Sequence, residues 1–140
     1  MPEKHLSFGT PKFFKTIIKD TLPGEFEPFP ISTVRIFPSE AVTFTGDFNT
    51  MYFSLIPDLD DKEKIFKANY SSAGWEIENK PLEVCSADHI YSHPSISADG
   101  TVLIFSSDMN GSSAGLDLFV CWKENDDWSK PQDIGKHINT

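Results

Sequence analysis

The chain has 140 residues, enough for one ordinary domain with a real core, and its 39% hydrophobic and 13% aromatic content excludes intrinsic disorder. Twelve basic against 21 acidic residues give a net charge of −9, which argues against a nucleic-acid groove because phosphate contacts need clustered Lys and Arg. No stretch approaches the ~18 consecutive apolar residues of a membrane span, and the first ten residues lack the apolar region of a secretory signal. We therefore expect neither nucleic-acid binding nor membrane insertion.

Strands are the predicted elements along the whole chain. The one helix candidate, 12–20, is short and contains Thr16 followed by two isoleucines, which favours a strand there. Short β-branched and aromatic runs bounded by Gly, Asn, Asp and Ser then predict strands at 41–45, 50–55, 64–70, 75–84, 94–97, 102–107, 116–122 and 127–134. The sequence therefore predicts an all-β fold, with four strands in each of two successive units.

These two units are copies of one repeat of about 53 residues. The aligned pairs are Asp47 with Asp99, Met51 with Leu103, Phe53 with Phe105, Ser54 with Ser106, Ile65 with Leu118, Phe66 with Phe119, and Trp75 with Trp128. The offset is 52 before the middle loop and 53 after it, as expected for a repeat with variable loops. Segment 81–84 after the first Trp occupies the place of 131–134 after the second, so the repeat extends beyond the tryptophans.

The repeat also predicts a tight turn and a core. Asp99 and Gly100 fit a turn between the first two strands of the second unit, with Gly100 at positive φ. Phe48 replaces that glycine in the first unit, so either Asn49 takes the left-handed conformation or the turn changes type. The residues expected to be buried, many of them between the two sheets, are Phe53, Ile65, Phe66, Leu103, Phe105, Leu118 and Val120.

A four-stranded antiparallel unit repeated in tandem is typical of a β-propeller blade. Segments 93–108, 115–120 and 128–131 together resemble the WD40-like propeller repeat of TolB-type proteins, in particular the version in bacterial envelope proteins that also carry an OmpA-like domain. Ala98 stands where that family usually has Pro. The resemblance implies an N-terminal segment with an outer strand (1–30), a degenerate blade (31–88), and a second blade with the start of a further junction (89–140). It also suggests the cell envelope or periplasm as the location.

Motifs for catalysis and metal binding lack their structural context. Ser113 lies in a G-x-S-x-G match that should be followed by a helix, but a strand is predicted there, so we interpret it as a loop. Asp108, Asn110 and Asp117 offer oxygen ligands, yet the glycine and glutamate of a calcium loop are missing. The two cysteines have no CxxC spacing, so no zinc site or disulfide scaffold is expected.

Five residues remain as candidate channel or loop-face contacts: His93, Ser106, Ser107, Asp108 and Asp117. His93 precedes Pro94, which predicts an extended conformation at the lip of an inner strand, where the side chain could line a central channel. Asp117 should point opposite to its apolar neighbours, toward solvent or toward a polar partner such as Ser106 or Ser107. A paired structural carboxylate is the preferred interpretation of Asp117.

The favoured hypothesis is a non-enzymatic propeller segment without cofactors, serving as a protein-interaction scaffold of an envelope-associated protein. An alternative is the regulatory or substrate-sieving propeller of a prolyl-oligopeptidase-type hydrolase whose catalytic domain is absent from these 140 residues. A sugar- or metal-binding propeller is a third interpretation. Because two blades leave apolar sheet faces uncovered, we expect further blades or another subunit to close the ring. Residues 1–140 are accordingly expected to be a fragment or an oligomerising subunit.

Overall fold

The computed structural model describes residues 41–58, 60–111 and 115–139, together with four two-residue strands nearer the N-terminus. These strands are β1 (Phe14–Lys15), β2 (Ile18–Lys19), β3 (Leu22–Pro23) and β4 (Glu27–Pro28). β1 pairs with β4 and β2 pairs with β3, both antiparallel. The chain divides into two compact units, Met1–Ser39 and Glu40–Thr140, and the strands of the second unit carry the features that follow.

Two antiparallel sheets make up the second unit. The first sheet contains, in spatial order, β5 (Val42–Phe44), β6 (Thr50–Leu55), β7 (Lys64–Ser71) and β8 (Gly74–Ile77). The second contains β9 (Tyr91–Ile96), β10 (Val102–Ser107), β11 (Asp117–Glu124) and β12 (Asp127–Trp128), and β13 (Gln132–Asp133) also pairs with β11. Every element among the described residues is a strand, which confirms the predicted all-β class with two successive antiparallel sheets. In this part of the chain no helix is long and apolar enough to cross a membrane.

The two sheets have the same register, as the repeat predicts. Phe53 on β6 lies opposite Phe66 on β7, and Phe105 on β10 lies opposite Phe119 on β11. Both pairs of rings are stacked, with centroids 6.2 Å apart in each sheet. The outer strands also correspond, because Trp75 faces the last part of β7 and Trp128 faces the last part of β11. The alignment of the two units is therefore confirmed strand by strand.

The fourth strand of each unit is shorter than predicted. β8 ends at Ile77, and the single strand expected at 127–134 is divided into β12 and β13. Pro131 lies between β12 and β13 and has no N–H to donate to the ladder, whereas β8 ends before Pro81 is reached. Beyond the prolines the chain bonds to the neighbouring strand again, where the N–H of Leu82 donates to the Ile65 carbonyl at 2.8 Å and that of Ile134 to the Leu118 carbonyl at 3.2 Å. By this pairing Leu82 corresponds to Ile134 and not to Gln132, so the predicted equivalence of 81–84 with 131–134 was two residues out of register.

The turn between the first two strands is the same in both sheets. Asp47 and Asp99 each accept a hydrogen bond from the backbone N–H two residues further on, at 3.0 and 3.1 Å. Gly100 has φ 72°, as predicted. In the first sheet Phe48 itself takes the left-handed conformation, with φ 57°. The expectation that Asn49 carries this conformation or that the turn changes type was therefore wrong, since the phenylalanine adopts the backbone of the glycine that it replaces.

The core between the sheets is built from one face of each. Tyr52 and Ile65 supply it from the first sheet, and Leu82 supplies it from the segment after β8. The second sheet contributes Tyr91, Ile96, Leu103, Phe105, Phe119 and Cys121. Trp128 packs against this cluster with its ring 6.1 Å from that of Tyr52 and nearly perpendicular to it. Burial raises the pKa of the Cys121 thiol to about 12, so that cysteine behaves as a small apolar core residue.

The predicted core was right for five of its seven members. Phe53, Ile65, Phe66, Leu103 and Phe105 are buried. Leu118 and Val120 are only half-buried, because they lie on the face of the second sheet that points away from the first. Phe53 and Phe66 are buried on the opposite face of the first sheet from Tyr52, so they are not part of the core between the two sheets.

The two turns approach each other closely at Gly46. The Gly46 N–H donates to the Ala98 carbonyl at 2.7 Å, and a Cβ at Gly46 would lie 3.0 Å from that oxygen and 3.1 Å from the Ala98 Cβ. We predict that Gly46→Ala lowers the free energy of unfolding by about 1–2 kcal/mol, the usual cost of overpacking. Urea unfolding measures this loss, and adding Ala98→Gly should recover part of it. A Gly46→Ala protein as stable as the wild type would mean that the turns lie further apart.

Candidate functional site

His93 lies in a β-bulge at the edge of the second sheet. The pairing of β9 with β10 shifts between Ile104 and Ser106, so that residues 93 and 94 together oppose one residue of β10. His93 has φ 51°, and its Nδ1 lies 2.7 Å from the Ser92 hydroxyl. The predicted extended conformation of His93 was wrong. The bulge places one extra residue in β9 beside Pro94, and His93 adopts the left-handed conformation at this bend. The His93 side chain is exposed.

Asp117 is paired with an amide rather than with a serine. It lies opposite Ser107 in the ladder, but its carboxylate accepts a hydrogen bond from the Asn110 amide at 3.0 Å. The Ser107 hydroxyl is buried and has no hydrogen-bond partner among the described residues. Ser106 is half-buried between Ser92 and Leu118 in the ladder. The partner of Asp117 is thus Asn110 and neither of the two serines that were expected.

Asp108 organises the start of the second sheet. Its Oδ1 accepts the Ile90 N–H at 2.8 Å and lies 3.2 Å from His89 Nδ1, and its Oδ2 lies 3.5 Å from Lys62 Nζ. Desolvation raises the pKa of Asp108, but the Ile90 N–H and the Lys62 charge outweigh it, so the pKa lies below its usual value. Asp108 therefore acts as a carboxylate that fixes the segment before β9.

The free energy of unfolding should decrease in acid as the Asp108 carboxylate becomes protonated. A group whose pKa is lower in the folded state contributes stability above its unfolded value of 3.8, and that contribution is lost as the pH falls through the folded pKa. We predict that Asp108→Asn lowers the urea midpoint at pH 7 and flattens its decline below pH 4. Asp126→Asn, at a fully exposed carboxylate, is the matched control. Equal acid slopes in Asp108→Asn and wild type would contradict this role.

The oxygen-rich loop does not gather its residues around one point. Asp108 contacts the segment before β9, whereas Asn110 bridges Asp117 and Asp133 with its amide. The Asn110 hydrogen bond is the main cause that lowers the pKa of Asp133. Among the described residues, no group of three or more His, Cys, Asp or Glu side chains is placed to hold a metal ion. The Ser113 hypothesis falls on residues outside those that the structure describes.

A cleft of about 710 Å³ lies between the outer segments of the two sheets. Its walls include Tyr52, Trp128 and the ion pair of Lys67 with Glu78, whose charged atoms are 3.0 Å apart. Burial, with a smaller contribution from the Glu78 charge, raises the pKa of Tyr52 to about 12, so its hydroxyl stays protonated. This cleft was not predicted from the sequence, although the repeated Lys-Pro pairs at 80–81 and 130–131, which line it, were a signal.

Among the described residues, no element covers the outer face of the second sheet, although the equivalent face of the first sheet is buried. On the first sheet the corresponding face is covered by the second sheet. The equivalent positions are Tyr52 and Ile104, Ile65 and Leu118, and Leu82 and Ile134. The first member of each pair is buried and the second is half-buried, and Trp122 beside them is 40% exposed. One surface thus occurs twice in the chain, once covered and once open among the described residues.

Polar groups repeat along with the apolar ones. The N–H of Ile96 donates to the Thr43 hydroxyl at 3.2 Å and thereby ties β9 to β5. Ser95 is the equivalent of Thr43 in the second sheet, and its hydroxyl has no hydrogen-bond partner within the described part of the chain. The N–H of Ala98, equivalent to the Gly46 N–H that joins the two turns, is likewise without a described acceptor. The outer face therefore repeats both the apolar and the polar parts of the interface.

No known protein family, curated protein or solved structure matches the chain, so the resemblance to the WD40-like repeat stays a prediction that rests on the residues of its two units.

Proposed function

We propose that the chain is a non-catalytic β-propeller segment that acts as a protein-interaction scaffold, and that the outer face of its second sheet is the surface that binds a partner. The supporting observation is the equivalence of Ile104, Leu118 and Ile134 with residues that are buried in the first sheet. An apolar face of this kind, rimmed by polar groups, is typical of an interaction site. The resemblance of the repeats to envelope proteins supports a role in the bacterial cell envelope.

The interface between the two sheets indicates the chemistry of the partner. Against Tyr52, the second sheet presents the aromatic and aliphatic side chains of Leu103, Phe105 and Phe119. A partner for the outer face is accordingly a further antiparallel sheet with a similar apolar face. Ala98 introduces one difference, because its Cβ prevents a third turn from approaching as closely as the second approaches Gly46. The partner sheet therefore sits slightly further from the second sheet near this turn.

Sedimentation of the whole chain tests this surface, with a second copy as the probe. The wild-type protein should show reversible, concentration-dependent association at micromolar concentrations, since the apolar outer face pairs with itself when no other partner is present. Trp122→Asp places a charge on this face, at a side chain that is already 40% exposed, and should give a monomer.

Ile56→Asp is the matched control, because Ile56 is 47% exposed and follows β6 in the other sheet. This variant should associate like the wild type. A wild-type chain that is strictly monomeric and melts in one sharp transition would overturn the proposal, since the outer face would then need no cover. Equal association of Trp122→Asp and wild type would overturn it as well, because the contact would lie elsewhere.

A further inference from the structure

The hydroxyl of Tyr52 is a polar group of a buried residue without a protein partner. Tyr52 is 2% exposed, and no hydrogen bond within the described part of the chain involves its hydroxyl. The Ser54 and Ser107 hydroxyls are also unpaired, but they are sealed in the core, whereas Tyr52 lines the cleft between the outer segments of the two sheets. Because an unpaired polar group costs free energy when it is buried, this hydroxyl at the wall of a cleft indicates a ligand that bonds to it.

Two lysines stand beside Tyr52 where the cleft adjoins a smaller cavity of about 240 Å³. Tyr52, Lys67 and Lys123 line both spaces. Burial and, to a smaller extent, the charge of Glu78 raise the pKa of Tyr52, so its hydroxyl lies within reach of the carboxylate of this wall residue. A protonated hydroxyl and two basic side chains therefore occur together at the junction of the two spaces.

Positive charge lies deeper in this cleft than negative charge. Lys67 pairs with Glu78 at 3.0 Å, and the two side chains are 27% and 46% exposed. Lys123 lies 3.9 Å from Asp126, and these side chains are 33% and 101% exposed. The lysine is the more buried member of both pairs, so a ligand that enters the cleft meets the ammonium groups after the carboxylates. Two further lysines line the cleft and form no ion pair within the described residues, namely Lys80 and Lys130.

The other lining residues fit a sugar with one carboxylate better than a polyanion. Glu83 and Asp127 are exposed on the cleft walls, and Asp47 and Asp99 line the smaller cavity. These carboxylates repel a ligand with many negative charges but accept hydrogen bonds from hydroxyl groups. Trp128 offers a half-buried aromatic ring, on which the C–H face of a sugar ring can pack, and an indole N–H without a described acceptor. The cleft volume of about 710 Å³ lies within the usual range of about 300–1,000 Å³ for small-molecule sites.

We propose that the cleft between the two sheets binds an acidic sugar. Its carboxylate bonds to Lys67 and Lys123, one of its hydroxyl groups bonds to the Tyr52 hydroxyl, and its ring packs on Trp128. This site lies between the first and the second sheet, so the proposal does not depend on the outer face of the second.

Calorimetric titration of the whole protein with cellobiouronic acid, a disaccharide with one carboxylate, tests the proposal. Cellobiose, which has the same two rings without the carboxylate, is the reference ligand, and tetraglutamate is the polyanion. Cellobiouronic acid should bind about tenfold more tightly than cellobiose, the effect of a hydrogen-bonded charge, and should shift the NMR signal of the Trp128 indole. Equal affinities for the two disaccharides, no binding of cellobiouronic acid, or tighter binding of tetraglutamate would each overturn the proposal.

Tyr52→Phe separates ligand binding from folding. This variant should bind cellobiouronic acid about five- to tenfold more weakly, because one hydrogen bond is lost. It should be as stable as the wild type, since the Tyr52 hydroxyl has no partner among the described residues. Tyr70→Phe is the matched control, because Tyr70 is 48% exposed and does not line the cleft, and it should bind like the wild type. Wild-type affinity in Tyr52→Phe, or a clear loss of its stability, would overturn the proposal.

Lys123→Met tests the carboxylate contact by itself. The variant should bind cellobiouronic acid about five- to tenfold more weakly and cellobiose as the wild type does, because cellobiose has no charge for the ammonium to meet. Lys136→Met, at a lysine outside the cleft, should leave both affinities unchanged. Equal losses for the two disaccharides in Lys123→Met would overturn the placement of the carboxylate.

Discussion

Replacing Phe105 with alanine is expected to lower the free energy of unfolding by about 3–5 kcal/mol, the usual cost of removing a buried phenylalanine. Phe105 is fully buried, stacks on Phe119 and lies 5.6 Å from the Tyr91 ring, so its removal leaves a cavity at the centre of the second sheet's inner face. Urea unfolding followed by circular dichroism measures the loss. A loss below about 1 kcal/mol would mean that the inter-sheet core is assigned to the wrong residues.

Ile138→Ala serves as the control for this loss. Ile138 is 57% exposed, so shortening it should change the stability little. Phe105→Ala should also weaken the contact between the sheets, because Phe105 belongs to the cluster that includes Tyr52 and Ile65 of the first sheet. The near-ultraviolet signal of the aromatic side chains should therefore decrease in the same variant.

Replacing Lys64 with methionine is expected to cost about 2–3 kcal/mol, because three backbone carbonyls would lose the charged donor that ties their segment to β7. Lys64 is 6% exposed, and its Nζ donates to the carbonyls of Ser86 at 2.7 Å, Ala87 at 3.2 Å and also His89. Desolvation lowers the pKa of Lys64, so the ammonium is held there against the cost of burial by these carbonyls. Methionine keeps the length and the apolar stem but cannot donate.

Lys62→Met is the matched control, because Lys62 also binds this segment, at the Asp88 carbonyl 2.6 Å away, but its side chain is 45% exposed. Water can replace its hydrogen bonds, so the expected loss is well below that of Lys64→Met. Similar losses of unfolding free energy in the two variants would contradict this prediction, because the buried Lys64 would then stabilise the fold no more than the exposed Lys62 does.

Repeated residues allowed most of the fold to be predicted from the sequence. The pairs Phe53 with Phe105 and Phe66 with Phe119 set the register of both sheets, since each pair of strands must keep its apolar residues on one face. Asp99 and Gly100 identified the turn because their chemistry is local. The predictions failed where two elements meet. Leu118 was expected to be buried like Ile65, but it is only half-buried. Whether a sheet face is buried depends on which element packs against it, and the sequence pattern does not reveal that element.

The candidate surfaces were harder to predict, for the same physical reason. The carbonyls that surround Lys64 belong to an irregular segment more than 20 residues away, and no periodicity links the two. His93 lies on β9, the first strand of the second sheet, and its conformation depends on the bulge opposite β10. Phe48 departs from the repeat in the sequence, but its exposure and its contact with the Phe44 ring depend on the folded sheet.

The bulge at His93 and Pro94 also affects how the protein behaves at high concentration. β9 forms one edge of the second sheet, and an edge strand with regularly spaced N–H and C=O groups can recruit strands from other molecules. Pro94 removes one donor from this edge, and the left-handed His93 breaks the spacing of the others. A strand from a neighbouring molecule therefore cannot form a continuous ladder along β9. The bulge thus opposes edge-to-edge aggregation along β9.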